Sequence, residues 1–98
     1  MASGRSRTVV GSFIGTGSSY TVSKVGFKPQ SVELFNQDDP AFGRHIEGMA
    51  DASVAKQKGA SSSFATSNGV TLTSTGFTVG ADTDLNVDGE RTWFVCHE

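Results

Sequence analysis

The chain has 98 residues, a formal net charge of −2 and one cysteine. That length makes one domain with a small core, since a chain of this size buries only about 60–65 % of its unfolded surface. The charge argues against a general nucleic-acid binder, and the lone Cys96 excludes an intrachain disulfide.

Glycine (12), serine (13) and threonine (10) supply 35 of the 98 residues, and leucine occurs only at 34, 72 and 85. Short strands and many turns suit that mixture better than helices do. Charge is divided unevenly. Residues 1–30 carry Arg5, Arg7, Lys24 and Lys28 and no acid, a sum of +4; residues 31–98 carry four basic and ten acidic side chains, a sum of −6. Either this is an ordinary solvated surface, or the basic part meets an acidic neighbour such as a second copy of the chain.

In chain order, residues 1–7 read as a basic arm and 8–98 as a single domain. No apolar segment follows the basic N-terminus, so a signal peptide is not expected, and no run is long enough to span a membrane. Thr8–Ile14 reads as a strand with Val9 and Phe13 on one face and Val10 and Ile14 on the other. Gly15-Thr16-Gly17-Ser18 is a turn rather than a phosphate loop, because strands flank it and the rest of a GxGxxG is missing. Residues 20–25 read as a second strand.

Gly26-Phe27-Lys28-Pro29 is a stiff turn: Pro29 fixes its own φ and biases Lys28 to an extended shape. It feeds Ser31–Asn36, where Val32 and Leu34 share the core face while Glu33 and Phe35 face solvent or a neighbouring subunit. Gln37-Asp38-Asp39-Pro40 breaks the chain, leaving Phe42 in a loop, and residues 44–49 form a strand ending near Gly48. Residues 51–58 fit a helical turn, a loop or a short strand equally.

Asn68-Gly69 between residues 61–66 and 70–74 predicts a hairpin, because both residues tolerate positive φ. Gly76-Phe77-Thr78-Val79-Gly80 is a short strand. Asp82-Thr83-Asp84-Leu85-Asn86-Val87-Asp88-Gly89 places oxygen ligands at alternate positions. It nevertheless lacks the glycine and glutamate that an EF-hand loop requires at its sixth and twelfth positions, where Val87 and Trp93 stand. Alternating Leu85 and Val87 fit a strand entering a second hairpin turn at Asp88-Gly89. The last strand, Arg91–His97, is apolar on both faces, with Trp93 and Val95 opposite Phe94 and Cys96. Such a strand lies centrally in a sheet or presents one face to a partner. The sum is an all-β domain: an antiparallel β-sandwich or jelly-roll-like barrel of about eight short strands.

Nothing in this order announces catalysis. His45, Cys96 and His97 are the only soft metal ligands, and adjacent Cys96 and His97 face opposite ways in a strand. Asp38-Asp39 lies in a proline-containing loop with no pocket implied. No catalytic residue, metal or cofactor is expected. Exposed aromatics mark contact sites, and a contact with a partner or a second subunit is expected at Arg5, Arg7, Phe35, Phe42, Arg44, Trp93 and Phe94.

Several segments taken in order carry a resemblance. They are the alternating first strand; Gly26-Phe27-Lys28-Pro29 running to Asn36; Glu47-Gly48-Met49-Ala50-Asp51-Ala52; Asn68-Gly69-Val70-Thr71-Leu72-Thr73 leading to Thr75-Gly76-Phe77-Thr78-Val79-Gly80; and Asn86 to Gly89 entering the strand with Trp93. The chain resembles small β-structured virion proteins of tailed bacteriophages, of the head decoration (cement) type, related to modules of tail fibres. The resemblance spans about residues 9–96 and implies no active site. It implies a homo-oligomer bound to the major capsid protein on the outer head surface, made in the bacterial host cytoplasm and ending in the virion, with no nucleic-acid or membrane partner. A tail-fibre or receptor-binding module that recognises a glycan through Phe35, Phe42 or loop aspartates is the alternative.

Overall fold

The computed structural model describes residues 7–98. Eight strands follow one another without a helix among the described residues: β1 (Thr8–Ile14), β2 (Tyr20–Val22), β3 (Ser31–Asn36), β4 (Ala41–Ile46), β5 (Ser53–Lys58), β6 (Ser61–Thr73), β7 (Gly76–Val79) and β8 (Arg91–His97). They form one antiparallel sheet in the order β1-β8-β3-β4-β5-β6-β7-β2. The all-β antiparallel fold is as the sequence predicts, realised as one continuous sheet curled into a half-barrel. Its two edges, β1 and β2, are joined by the short turn at 15–19.

Period-two alternation explains the curl. In β3 and β4 every second residue is buried, placing Val32, Leu34 and Asn36 beside Ala41, Gly43 and His45 on the concave side. β8 contributes Thr92, Phe94 and Cys96, and β7 contributes Phe77 and Val79. These side chains fill the inside of the curl and exclude water, which is the main favourable term holding so small a sheet closed.

Several expected boundaries move. The second strand stops at Val22, and β4 begins at Ala41, so Phe42 is a strand residue rather than a loop residue. Residues 51–58, left open by their pattern, supply strand β5. Asn68-Gly69 is not a hairpin. Asn68 does take φ 59°, but β6 runs through it, pairing β5 along its first half and β7 along its second. The register shift between Ser53 and Val54 marks a bulge there. The hairpin lies earlier, where Gly59 takes φ 59° between β5 and β6. Asp88-Gly89 is not a hairpin turn either, since β7 and β8 do not pair.

Residues 80–90 form a loop that crosses the open mouth of the half-barrel instead of the expected strand. Leu85 and Asn86 are buried in it. Asp82 Oδ1 accepts the backbone N–H groups of Asp84 (2.8 Å) and Leu85 (3.0 Å), an aspartate turn that replaces ladder bonds. Asn86 ties the loop to the β1–β2 turn: its Oδ1 accepts from Thr16 N, and its Nδ2 donates to Ser18 O and Gly80 O.

A candidate interaction surface on the convex face

The residues between the buried ones point outward and line up across strands. One row runs Trp93 (β8), Phe35 (β3), Phe42 (β4). The next runs Val10 (β1), Val95, Glu33, Arg44, Ala55 (β5), Phe64 (β6). Strand pairing alone sets these rows, because facing residues of neighbouring strands project to the same side. Val10 is 65 % exposed, Phe64 59 %, Phe42 53 % and Trp93 41 %. Exposed aromatic and aliphatic side chains gathered in two adjacent rows, with the Glu33–Arg44 pair among them, mark a contact surface more than scattered exposed residues do.

The strip is held rigidly. Phe35, half-buried, meets Phe42 edge to face at 5.4 Å. Trp93 Nε1 donates to Gln37 Oε1, and the Arg91 guanidinium lies 5.7 Å from the Trp93 ring centre. Glu33 and Arg44 form an ion pair in the middle of the face, with His97 Nε2 3.6 Å from Glu33 on its other side. The Arg44 hydrogen bond, against partial burial and with help from His97, holds the Glu33 carboxyl below its ordinary value. Phe35, Phe42 and Phe64 border a shallow open groove of about 590 Å³ with Glu33, Arg44 and Gln57 at its polar margin.

Of the expected contact residues, the fold brings Phe35, Phe42, Arg44 and Trp93 together on this face. Phe94 is a correction: it points to the concave side, is 7 % exposed and packs on Phe77. Arg5 lies outside the described residues. Arg7 is no free anchor. It forms a two-bond ion pair with Glu98 (2.9 and 2.7 Å) and lies 4.8 Å over the Phe27 ring. That pairing raises the Arg7 pKa and lowers that of Glu98. Val10, Val95 and Phe64 join the same face and are not among the expected contact residues. Their signal was alternation within β1, β6 and β8, readable once strand neighbours are known.

Asp82 and Asp84 of the calcium-like segment are paired with lysines. Lys56 Nζ lies 3.0 Å from Asp82 and 2.9 Å from Asp84, and Lys58 Nζ reaches Asp39 (2.8 Å) and Asp84 (3.4 Å). Among the described residues no cluster of three histidine, cysteine or acidic side chains is placed to hold a metal ion. His45 is buried, its Nδ1 2.8 Å from Ser53 O. Cys96 is buried, and desolvation pushes its thiol up to about 12. No helix of the described residues is long and apolar enough to cross a membrane. No protein-family model matches the chain, and no curated protein or solved structure does.

Proposed function

We propose that the chain is a non-enzymatic structural virion protein of the decoration or cement type. In this reading it is a homo-oligomer that docks through the convex face onto the major capsid protein at the outer head surface and stabilises the shell. The observation that carries the reading is the gathering of Trp93, Phe35 and Phe42 with Val10, Val95 and Phe64 on the convex face, with Val10, Phe42, Phe64 and Trp93 exposed. Aromatic anchors around a central charge pair are the arrangement that gives an interface both affinity and register. The partner is drawn from the resemblance of the motif order, Gly26 to Asn36 through Asn68 to Gly80 and the Trp93 strand, to phage decoration proteins.

Incubation with undecorated capsids tests the proposal. The wild-type protein should co-sediment with them and raise their melting temperature, and Phe42→Ser with Phe64→Ser should abolish binding while costing the protein's own stability only about 1–2 kcal/mol. No binding by the wild type would sink it. A second reading, a tail-fibre or receptor-binding module, draws on the groove where Phe42 and Phe64 stand beside Glu33, Arg44 and Gln57, groups suited to stacking on and hydrogen-bonding a sugar. Saturable binding on a glycan array, lost in the same double variant, would favour it over capsid docking.

A further inference from the structure

The two edges of the sheet are unlike. β2 has three residues and is followed by Ser23 and Lys24, a short edge with a nearby charge. β1 has seven residues, Thr-Val-Val-Gly-Ser-Phe-Ile, with no charge, no proline and no register shift against β8. Natural sheets blunt long edges with those devices because an open edge pairs with other strands. β1 carries none of them.

The hydrogen-bond phase of that edge is readable. Gly15 N–H donates to Glu90 O (2.8 Å) and Glu98 N–H donates to Arg7 O (2.9 Å). Those two pairs bracket the β1–β8 ladder, so Val9, Gly11 and Phe13 spend their backbone groups on β8. Thr8, Val10, Ser12 and Ile14 therefore aim theirs away from the sheet, and among the described residues no backbone group pairs with that edge. Their side chains lie on the convex face, where Val10 and Ile14 are 65 % and 46 % exposed.

We propose that β1 is a self-association edge, pairing antiparallel with β1 of a second copy about a two-fold axis at Gly11. This deepens, and rests on, the homo-oligomeric part of the proposed function. The sequence of β1 fits that occupant. With the axis at Gly11, Thr8 faces Ile14 of the copy and Val10 faces Ser12, so each outward-bonding residue meets another outward-bonding residue. An uncharged strand sets no like charges opposite one another, and Arg7 falls opposite Gly15. The pairing joins two convex faces edge to edge into one surface, as an isologous contact does. A single strand pair is a small interface, so association falls in the micromolar range, about 1–100 µM.

Sedimentation velocity over a concentration series tests this. The wild type should pass from monomer to dimer. Val10→Pro removes one outward N–H while sparing the β8 ladder, and Val10→Lys places a charge on the exposed edge; each should weaken the dimer at least tenfold. Val10→Cys with Ser12→Cys provides a second measurement independent of those variants. Under oxidation it should form a disulfide-linked dimer far more completely than Val10→Cys alone, whose thiols would lie diagonally. A wild-type monomer up to about 1 mM, a dimer indifferent to both edge variants, or no cross-link overturns the proposal. If the wild type is monomeric and Ser12→Pro, which removes an outward N–H but leaves the convex strip intact, loses capsid binding, the edge takes a strand of another protein, and a second copy is the wrong occupant. Capsid binding by a monomer leaves the decoration reading standing, and a dimer that ignores capsids does the reverse.

Discussion

Phe77 of β7 and Phe94 of β8 meet edge to face, ring centres 5.4 Å apart and planes at 72°. Four strands separate them in the hydrogen-bonding order of the sheet, so they touch only because the sheet curls over its own concave side. This contact closes the core, and Phe77→Ala should lower unfolding free energy by about 3–5 kcal/mol. Urea denaturation checks it. Phe94→Ala should cost a similar amount, and the double variant should lose less than the sum, because each ring already forfeits its partner in the single variants. Additive losses would mean the pair does not couple the two ends of the sheet.

Leu85 plugs the mouth from the loop at 80–90, directly above Gly43. A Cβ on Gly43 would collide with a Leu85 methyl and press on Val54. Leu85→Ala should cost about 2–5 kcal/mol through the cavity it leaves. Gly43→Ala should cost about 1–3 kcal/mol through overpacking. Combined, the two substitutions should cost less than their sum, because the added methyl occupies part of the vacated space. Thermal unfolding of the three variants reads this out, and strict additivity would show that Leu85 does not seat on Gly43.

The alternation of β3 and β8 was legible because both strands lie inside the sheet, where one face is core and the period is uninterrupted. Phe94 shows what alternation leaves open. It groups Phe94 with Cys96 against Trp93, but when both faces are apolar it does not say which face is inside. The core partner, Phe77, is 17 residues away in sequence. Asn68 failed for a different reason. Its positive φ was correctly anticipated, but a bulge in a strand gripped by β5 and β7 satisfies the same backbone preference as a hairpin. The loop at 80–90 was misread because Leu85 and Val87 alternate like a strand, while side-chain bonds from Asp82 and Asn86 supply the backbone partners that a ladder would have supplied.

Lys56 joins that loop to β5, and its pairing sets a pH window. A hydrogen bond from Lys56, against partial burial and with help from Lys58, holds the Asp84 carboxyl below its ordinary 3.8. The folded chain thus takes up that proton less readily than the unfolded one. The stabilisation is full above about pH 4 and is lost as pH falls through the folded value. For Lys56, burial lowers the pKa, but hydrogen bonds to Asp84 and Asp82 outweigh it, leaving the folded value above 10.5. That contribution is full below pH 10.5 and is lost as pH rises through the folded value. Urea midpoints measured across pH should fall at both ends. Lys56→Met should soften both limbs and cost on the order of 3 kcal/mol at neutral pH by leaving Asp82 buried and unpaired. An unchanged acid limb in that variant would assign the acid loss to other carboxylates.

Cys96 offers a probe of the closed core that requires no disruptive substitution. It is fully buried on the concave side of β8, opposite Val32 of β3 and Val9 of β1. Desolvation, with no cation to favour the thiolate, pushes its pKa up to about 12. Both access and thiolate fraction therefore oppose alkylation. At pH 8 the native protein should react with iodoacetamide or an aromatic disulfide far more slowly than the urea-unfolded chain, by about the factor set by the opening equilibrium. Phe77→Ala loosens the same core and should speed native-state labelling in proportion to the stability it removes, while Phe42→Ser on the convex face should leave the rate unchanged. Rapid labelling of the native wild type would show that β1, β8 and β3 do not enclose the thiol.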